Sequence, residues 1–215
     1  MLDAQSGDRT REIAREWGAT VLERPWSGFV EARLFALATV RTPWTLMLDA
    51  DEWVDEALRA AILDAADDAD GYDLARDTYF CGRAMRMWKG ERLVRLFRTG
   101  LGALRAAPAG GGGAQLHERW NVAGPVGHLR GTLVHESYPD VASYRRKFDA
   151  YTTIEARLAP ASALGLAWQL FLAPARFLRT LLGRGGLLDG WRGLFVAYYS
   201  AIYPVIVRAK ARAGR

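Results

Sequence analysis

The chain has 215 residues, 50% of them hydrophobic and 25% charged, the balance of a folding chain and not of a disordered one. One cysteine, Cys81, excludes a disulfide framework or a cysteine-rich zinc module, and three histidines leave little room for an all-histidine metal site. The net charge of +5 is unevenly spread: residues 141–215 hold 12 basic and 3 acidic side chains, so the front of the chain is acidic and the tail basic.

Residues 1–20 carry no apolar stretch of the kind a secretory signal needs, so none is expected there. Ser6 or Asp8 can cap a helix over Arg9–Trp17, and Ala19–Leu22 reads as a short strand. Phe29–Val40 has helical spacing, with Leu34, Leu37 and Ala38 on one side. Thr45–Leu48 reads as a short apolar strand that runs into four polar or small residues, Asp49 to Glu52. Asp55 then caps a helix expected to reach about Ala69, and Tyr72–Phe80 reads as a strand. This alternation predicts an α/β fold, a mostly parallel sheet with flanking helices. Strands follow at Leu93–Phe97, His117–Val122 and Leu129–Val134, with the glycine-rich segment around Gly110–Gly113 as a loop. No Gly-Lys-Ser/Thr follows those glycines, so they are not a phosphate-binding P-loop. From residue 139 onward the pattern is helical, over roughly 140–158, 162–182 and 187–212. Two regions are therefore expected, an α/β domain over 1–138 and a helical, basic and apolar region over 139–215.

LMLDADEW is the most informative stretch. In open α/β sheets ligands gather at the carboxyl ends of strands. Asp49 and Asp51, two residues apart in an extended segment, share a side. Two carboxylates so placed repel unless a cation or hydrogen-bond donors lie between them. Hard oxygen ligands suit Mg²⁺ or Mn²⁺, which commonly bridge to substrate phosphates. The plain alternative is an acid-rich start to the helix capped by Asp55.

With that motif placed, the chain resembles family 2 glycosyltransferases of the GT-A, Rossmann-like fold. The similarity is strongest to bacterial enzymes that extend lipopolysaccharide or lipooligosaccharide cores. LDAQSGDRTREIAREWGATVLERPWSGF resembles that family's second strand and helix, and LMLDADEWV its metal-binding D-x-D segment. VRLFRTG, LHER, GPVGHLRGTLVHESY and GLLDGWRGL follow in the family's order. The resemblance implies that Asp3 contacts the nucleoside of a sugar-nucleotide donor, that Asp49 lies near the ribose or the metal, and that Asp51 binds the metal bridging the diphosphate. It implies Glu118 as the general base, with a strand carboxylate paired to Arg119 as the plain alternative. His135 is a candidate ligand of the metal or diphosphate, and Glu136 and His117 are weaker ones. Arg95 and Arg98 are candidates for phosphate or acceptor binding. The family pattern usually begins with a further strand and an Asn-Glu loop ahead of the position of Asp3, so an N-terminally incomplete domain is expected. ARLFAL stands where the family has K-N-x-A-L: Arg33 keeps the charge at the donor site, and Leu34 replaces an amide.

Among the aromatic residues, Trp26, Trp53, Trp88 and Trp120 could include one that stacks on an acceptor sugar, most of them being core. Cys81 is expected as a core or half-buried thiol. In the tail, Gly193–Val207 is an uncharged run of 15, short of the about 20 apolar residues a membrane span needs. Arg176 and Arg179 beside Trp168, Phe171 and Phe177, with Trp191 and Tyr198 beyond, suit helices lying in the lipid headgroup region. The alternative is a helical cap packed on the sheet. The aromatic content of the tail favours lipid over nucleic acid, so no nucleic-acid partner is expected. The expectation is thus a metal-assisted, inverting transfer of a sugar from a nucleotide donor to a lipid-linked glycan, on the cytoplasmic face of the cell membrane. Two other readings remain at this point: a sugar-phosphate nucleotidyltransferase, and a non-catalytic membrane-associated remnant.

Overall fold

The computed structural model describes residues 1–65, 68–106 and 118–214. The chain begins with β1 (Leu2–Asp3), α1 (Thr10–Glu16) and β2 (Leu22–Glu23). β1 and β2 pair in parallel, with α1 as the crossover such pairing requires. α2 (Phe29–Thr39) leads to β3 (Trp44–Leu46), then β4 (Glu52–Val54) and α3 (Glu56–Leu63). α3 starts where Asp55 accepts the Leu58 N–H at 2.7 Å, and Leu58 is fully buried. It ends short of Ala69 because Asp64 and Asp68 place negative charge at the negative end of the helix dipole.

The strands that follow are β5 (Gly71–Phe80), β6 (Arg83–Ala84), β7 (Glu91–Arg98), β8 (Gly102–Ala106), β9 (Glu118–Val122) and β10 (Val126–Tyr138), with a 3₁₀ turn at Arg86–Trp88 between β6 and β7. β8 and β9 form a separate antiparallel hairpin. The main sheet runs β3-β7-β5-β10-β4, with β6 beside β5. Its pairings are antiparallel except β5 with β10. The expected mostly parallel sheet is therefore corrected to a mixed one. A parallel pair needs a long, usually helical crossover, and among the described residues between Gly71 and Tyr138 there is no α-helix.

β3 and β4 lie on opposite edges of this sheet, yet only residues 47–51 join them. Five strands span about 19 Å across when flat. Six residue steps cover at most about 20 Å fully extended. The link is not fully extended, because Glu52 N–H bonds back to Asp49 O at 3.0 Å. The sheet must curl to bring its edges together, and the acidic segment then crosses the sheet.

The core under α3 joins Leu58, Tyr72, Leu74, Leu96, Leu129 and Leu133. Gly131 makes that packing possible. Its φ is +90°, and a Cβ there would lie 2.2 Å from the Leu58 backbone nitrogen. It sits at an irregularity in the β5–β10 register, and beyond it Thr132 O accepts the Asp55 N–H at 3.0 Å.

α4 (Val141–Ala156), α5 (Ala163–Leu178) and α6 (Trp191–Ala213) complete the chain. Asp140 and Ser162 cap α4 and α5. A π-helical turn at Arg179–Gly183 and a 3₁₀ turn at Gly186–Asp189 connect α5 to α6. α4 and α6 pack on the far end of β5 and β10 through Phe80, Met85, Met87, Tyr144 and Val196. Buried Asp189 accepts the Arg86 and Met87 N–H groups at 2.8 and 3.0 Å. Arg192 donates to the carbonyls of Phe80 and Cys81. Cys81 is half-buried, as expected, with φ +48°. The tryptophans divide, with Trp120 buried and Trp26 and Trp53 exposed. No helix among the described residues is long and apolar enough to cross a membrane. The outer side of α5 and the turn after it leave Leu164, Trp168, Phe171, Leu182, Leu187 and Leu188 exposed. Arg179 and Arg184 lie exposed among them.

Candidate active site

The acidic segment is held from both ends. Met47 N–H bonds to Arg95 O at 2.8 Å, and Glu136 N–H bonds to Asp51 O at 3.0 Å. Glu52 bends inward, where its side chain is fully buried and accepts the Asp49 N–H at 3.0 Å. Arg95, on β7, donates to Glu52 Oε1 at 2.8 Å and to Asp49 Oδ2 at 3.0 Å. Arg76, on β5, donates to the same Glu52 oxygen at 3.2 Å and to Glu91 at 2.6 Å. A buried carboxylate is costly unless paired, and two arginines meet that need. The sequence order alone did not disclose this arrangement. Arg95 lies beneath the turn, 5% exposed, so it serves the turn from below. Its Nε is buried without a partner. Arg98 packs over Trp44 and reaches Asp70 at 3.3 Å.

Above this base the two aspartates diverge. Asp49 Oδ1 accepts from Arg33 of α2 at 2.8 Å. Burial would raise the Asp49 pKa, but Arg95 and Arg33 outweigh it and hold the carboxyl below its usual range. Asp51 turns toward β10, where its Oδ1 lies 3.4 Å from His135 Nε2. His135 first, and Lys147 after it, hold the Asp51 carboxyl well below the ordinary carboxylate range against burial. The other imidazole nitrogen, Nδ1, lies 3.4 Å from Thr78 Oγ1, which fixes the ring's orientation.

The structure thus brings Arg33, Asp49, Asp51 and His135 together. Asp3 is 4% exposed at the end of β1, and its carboxylate accepts the Ser6 N–H at 2.9 Å and the Ser6 hydroxyl at 2.6 Å. Those bonds hold its pKa below the usual range and shape the loop after β1. A hollow of about 60 Å³ opens beside it, lined by Leu2, Ala4, Arg24, Trp26 and Ala32. Glu118 is placed only by its backbone, at the start of β9 opposite Ala106. His117 and Gly110–Gly113 lie outside the described residues. Glu136 is adjacent to His135 and reaches the segment through its backbone N–H.

Among the described residues no three His, Cys, Asp or Glu side chains converge as a metal cluster. A Mg²⁺-type ion does not need such a cage, since it is commonly held by one or two protein ligands plus substrate phosphates. Neighbouring ligands on a six-coordinate ion with bonds of about 2.1 Å are about 3 Å apart. Asp51 Oδ1 and His135 Nε2 lie 3.4 Å apart, close to that spacing.

A sequence model of glycosyl transferase family 2 matches residues 1–133, which include the whole acidic segment. The chain belongs to that family. Membership implies the GT-A fold, which accords with the α/β architecture. The lipopolysaccharide core biosynthesis glycosyltransferase LpsC of Rhizobium meliloti is 28% identical over 98% of this chain and 80% of its own length. An uncharacterized glycosyltransferase of Rickettsia typhi is 32% identical over 45% of this chain and 32% of its own. A further one, from Rickettsia bellii, is 37% identical over 29% of this chain and 21% of its own.

Proposed function

We propose that the chain transfers a sugar from a nucleotide-sugar donor to a hydroxyl of a lipid-linked glycan of the lipopolysaccharide core type. The observation that carries this is the acidic segment drawn across a curled sheet, presenting Asp51 and His135 outward from a base locked by Arg95, Glu52 and Arg76. The match to LpsC along nearly the whole chain supports the choice of glycan. Asp51 and His135 would hold Mg²⁺ or Mn²⁺, which supplies the charge that offsets a leaving diphosphate. Asp49, oriented by Arg33 and Arg95, serves the ribose side of the donor, and Asp3 serves the nucleoside. Glu118 accepts the proton of the acceptor hydroxyl as its oxygen bonds to the sugar's anomeric carbon. The bond from that carbon to the diphosphate breaks in the same displacement, and the nucleoside diphosphate leaves. Attack from the opposite face inverts the anomeric centre.

Contact with the inner face of the cell membrane belongs to the same reading. The exposed Trp168, Phe171, Leu182, Leu187 and Leu188, flanked by Arg179 and Arg184, would enter the headgroup layer where a lipid-linked acceptor lies.

The test is a panel of sugar nucleotides with Mn²⁺ or Mg²⁺, scored for donor hydrolysis and transfer, beside Asp51→Ala. Turnover that needs the metal and falls at least about 100-fold in Asp51→Ala supports the reading. Absence of binding to every sugar nucleotide overturns it. Sedimentation with anionic vesicles tests the membrane contact: Phe171→Asp with Leu188→Asp should release the protein, and unchanged binding would refute that part.

A further inference from the structure

α4 lies in the C-terminal region, yet one of its side chains enters the site. Lys147 Nζ is 3.3 Å from Asp51 Oδ2, 2.9 Å from Ser137 O and 3.3 Å from Ser137 Oγ. An ammonium has three donors, and these three acceptors match them. The Tyr138 ring lies 5.2 Å from the same nitrogen. The helix cannot easily turn away. Asp140 fixes its start at 2.6 Å, and Tyr144, one turn before Lys147, is buried against Phe80. Lys147 is still 35% exposed, so it faces both Asp51 and the open side of the site.

The charges beneath it are already matched. Asp49 has Arg33 and Arg95, and Glu52 has Arg95 and Arg76. Asp51 has Lys147. An ion arriving alone would meet a carboxylate already neutralised and a positive charge beside it. A diphosphate arriving with the ion removes that obstacle, because its oxygens can take over the lysine's hydrogen bonds.

We propose that Lys147 is a diphosphate-binding residue of the donor site. It holds Asp51 while the site is empty and passes its hydrogen bonds to the leaving diphosphate when donor and ion enter. The inference rests on the transferase reading above and names the residue that couples ion to donor. Ion and nucleoside diphosphate must then strengthen each other's binding by the same factor.

The test uses the full chain and its variants Lys147→Met and Lys147→Arg. Mn²⁺ binding without nucleotide is read from the spin-resonance signal of the free ion. Binding of UDP, GDP and ADP with Mn²⁺ is read by calorimetry. Losing a charge-assisted bond to phosphate should weaken the preferred nucleoside diphosphate about tenfold or more in Lys147→Met. The same variant should bind Mn²⁺ alone more tightly than the unaltered chain, and Lys147→Arg should recover most of the diphosphate affinity. Unchanged diphosphate affinity in Lys147→Met overturns the proposal. So does an equal loss of ion and diphosphate binding in both variants, the signature of a purely structural lysine. If the unaltered chain binds no nucleoside diphosphate with Mn²⁺, the transferase reading falls and takes this proposal with it. A failure confined to the variants leaves the transferase reading standing.

Discussion

Replacing Arg95 with methionine tests whether the acidic segment depends on the buried charges below it. Arg95 is 5% exposed and shares its guanidinium between Glu52 and Asp49. Removing one partner of a buried pair costs about 3–5 kcal/mol, mostly from the charge left behind. Arg76 still reaches Glu52 at 3.2 Å and Arg33 still holds Asp49 at 2.8 Å. Methionine fills most of the vacated volume, so a cavity adds little. The lower end, about 3 kcal/mol, is therefore expected. In a chain of this size each kcal/mol moves the thermal midpoint by about 2–4 °C, so a fall of roughly 6–12 °C should be seen. The double variant Arg95→Met with Glu52→Gln separates the buried charge from mere packing. Gln removes that charge while its carbonyl can still accept the Asp49 N–H, so the double variant should be more stable than Arg95→Met alone. Urea and thermal unfolding of both singles and the double close the cycle. A loss under about 0.5 kcal/mol in Arg95→Met, or strictly additive losses in the double, would refute the argument.

Gly131→Ala forces a Cβ to within 2.2 Å of the Leu58 backbone at a φ of +90°. A loss of at least about 3 kcal/mol is expected from strain and clash together, and an unchanged urea midpoint would sink the account of the bulge. Asp189→Asn leaves one of two N–H groups, on Arg86 or Met87, facing an amide NH₂. The expected cost is about 1–3 kcal/mol, with faster proteolysis between residues 183 and 190, and equal digestion rates would count against the tether. Asp140 is held below the usual carboxylate range by the Ser143 N–H and hydroxyl. Its folded pKa is thus lower than its unfolded one, so its contribution is complete above about pH 4 and is lost as pH falls through the folded value. Asp140→Asn should flatten the decline in unfolding midpoint below about pH 4, and a parallel decline would contradict that role.

Local signals decided much of this protein. The helix cap at Asp55 was readable because a side-chain oxygen three residues ahead of a free N–H is a local matter. The three C-terminal helices follow apolar spacing for the same reason. The acidic motif and its family resemblance were legible as an ordered set of short segments. Strand direction was not, because parallel and antiparallel strands carry similar alternation and differ only in how the chain returns. The sheet is mixed because, among the described residues, no α-helical crossover joins its strands between Gly71 and Tyr138. The partners of the motif were equally hidden. Arg76 and Arg95 lie 24 and 43 residues from Glu52, Thr78 lies 57 from His135, and Lys147 lies 96 from Asp51. Only the curl of the sheet, drawn in by a five-residue link between opposite edges, sets Asp49 over Arg95 and Asp51 between His135 and Lys147. The sequence alone therefore determined which acids stand in the segment and which helices follow it. Tertiary structure decided which of those acids is buried, which is presented outward, and which cation waits beside it.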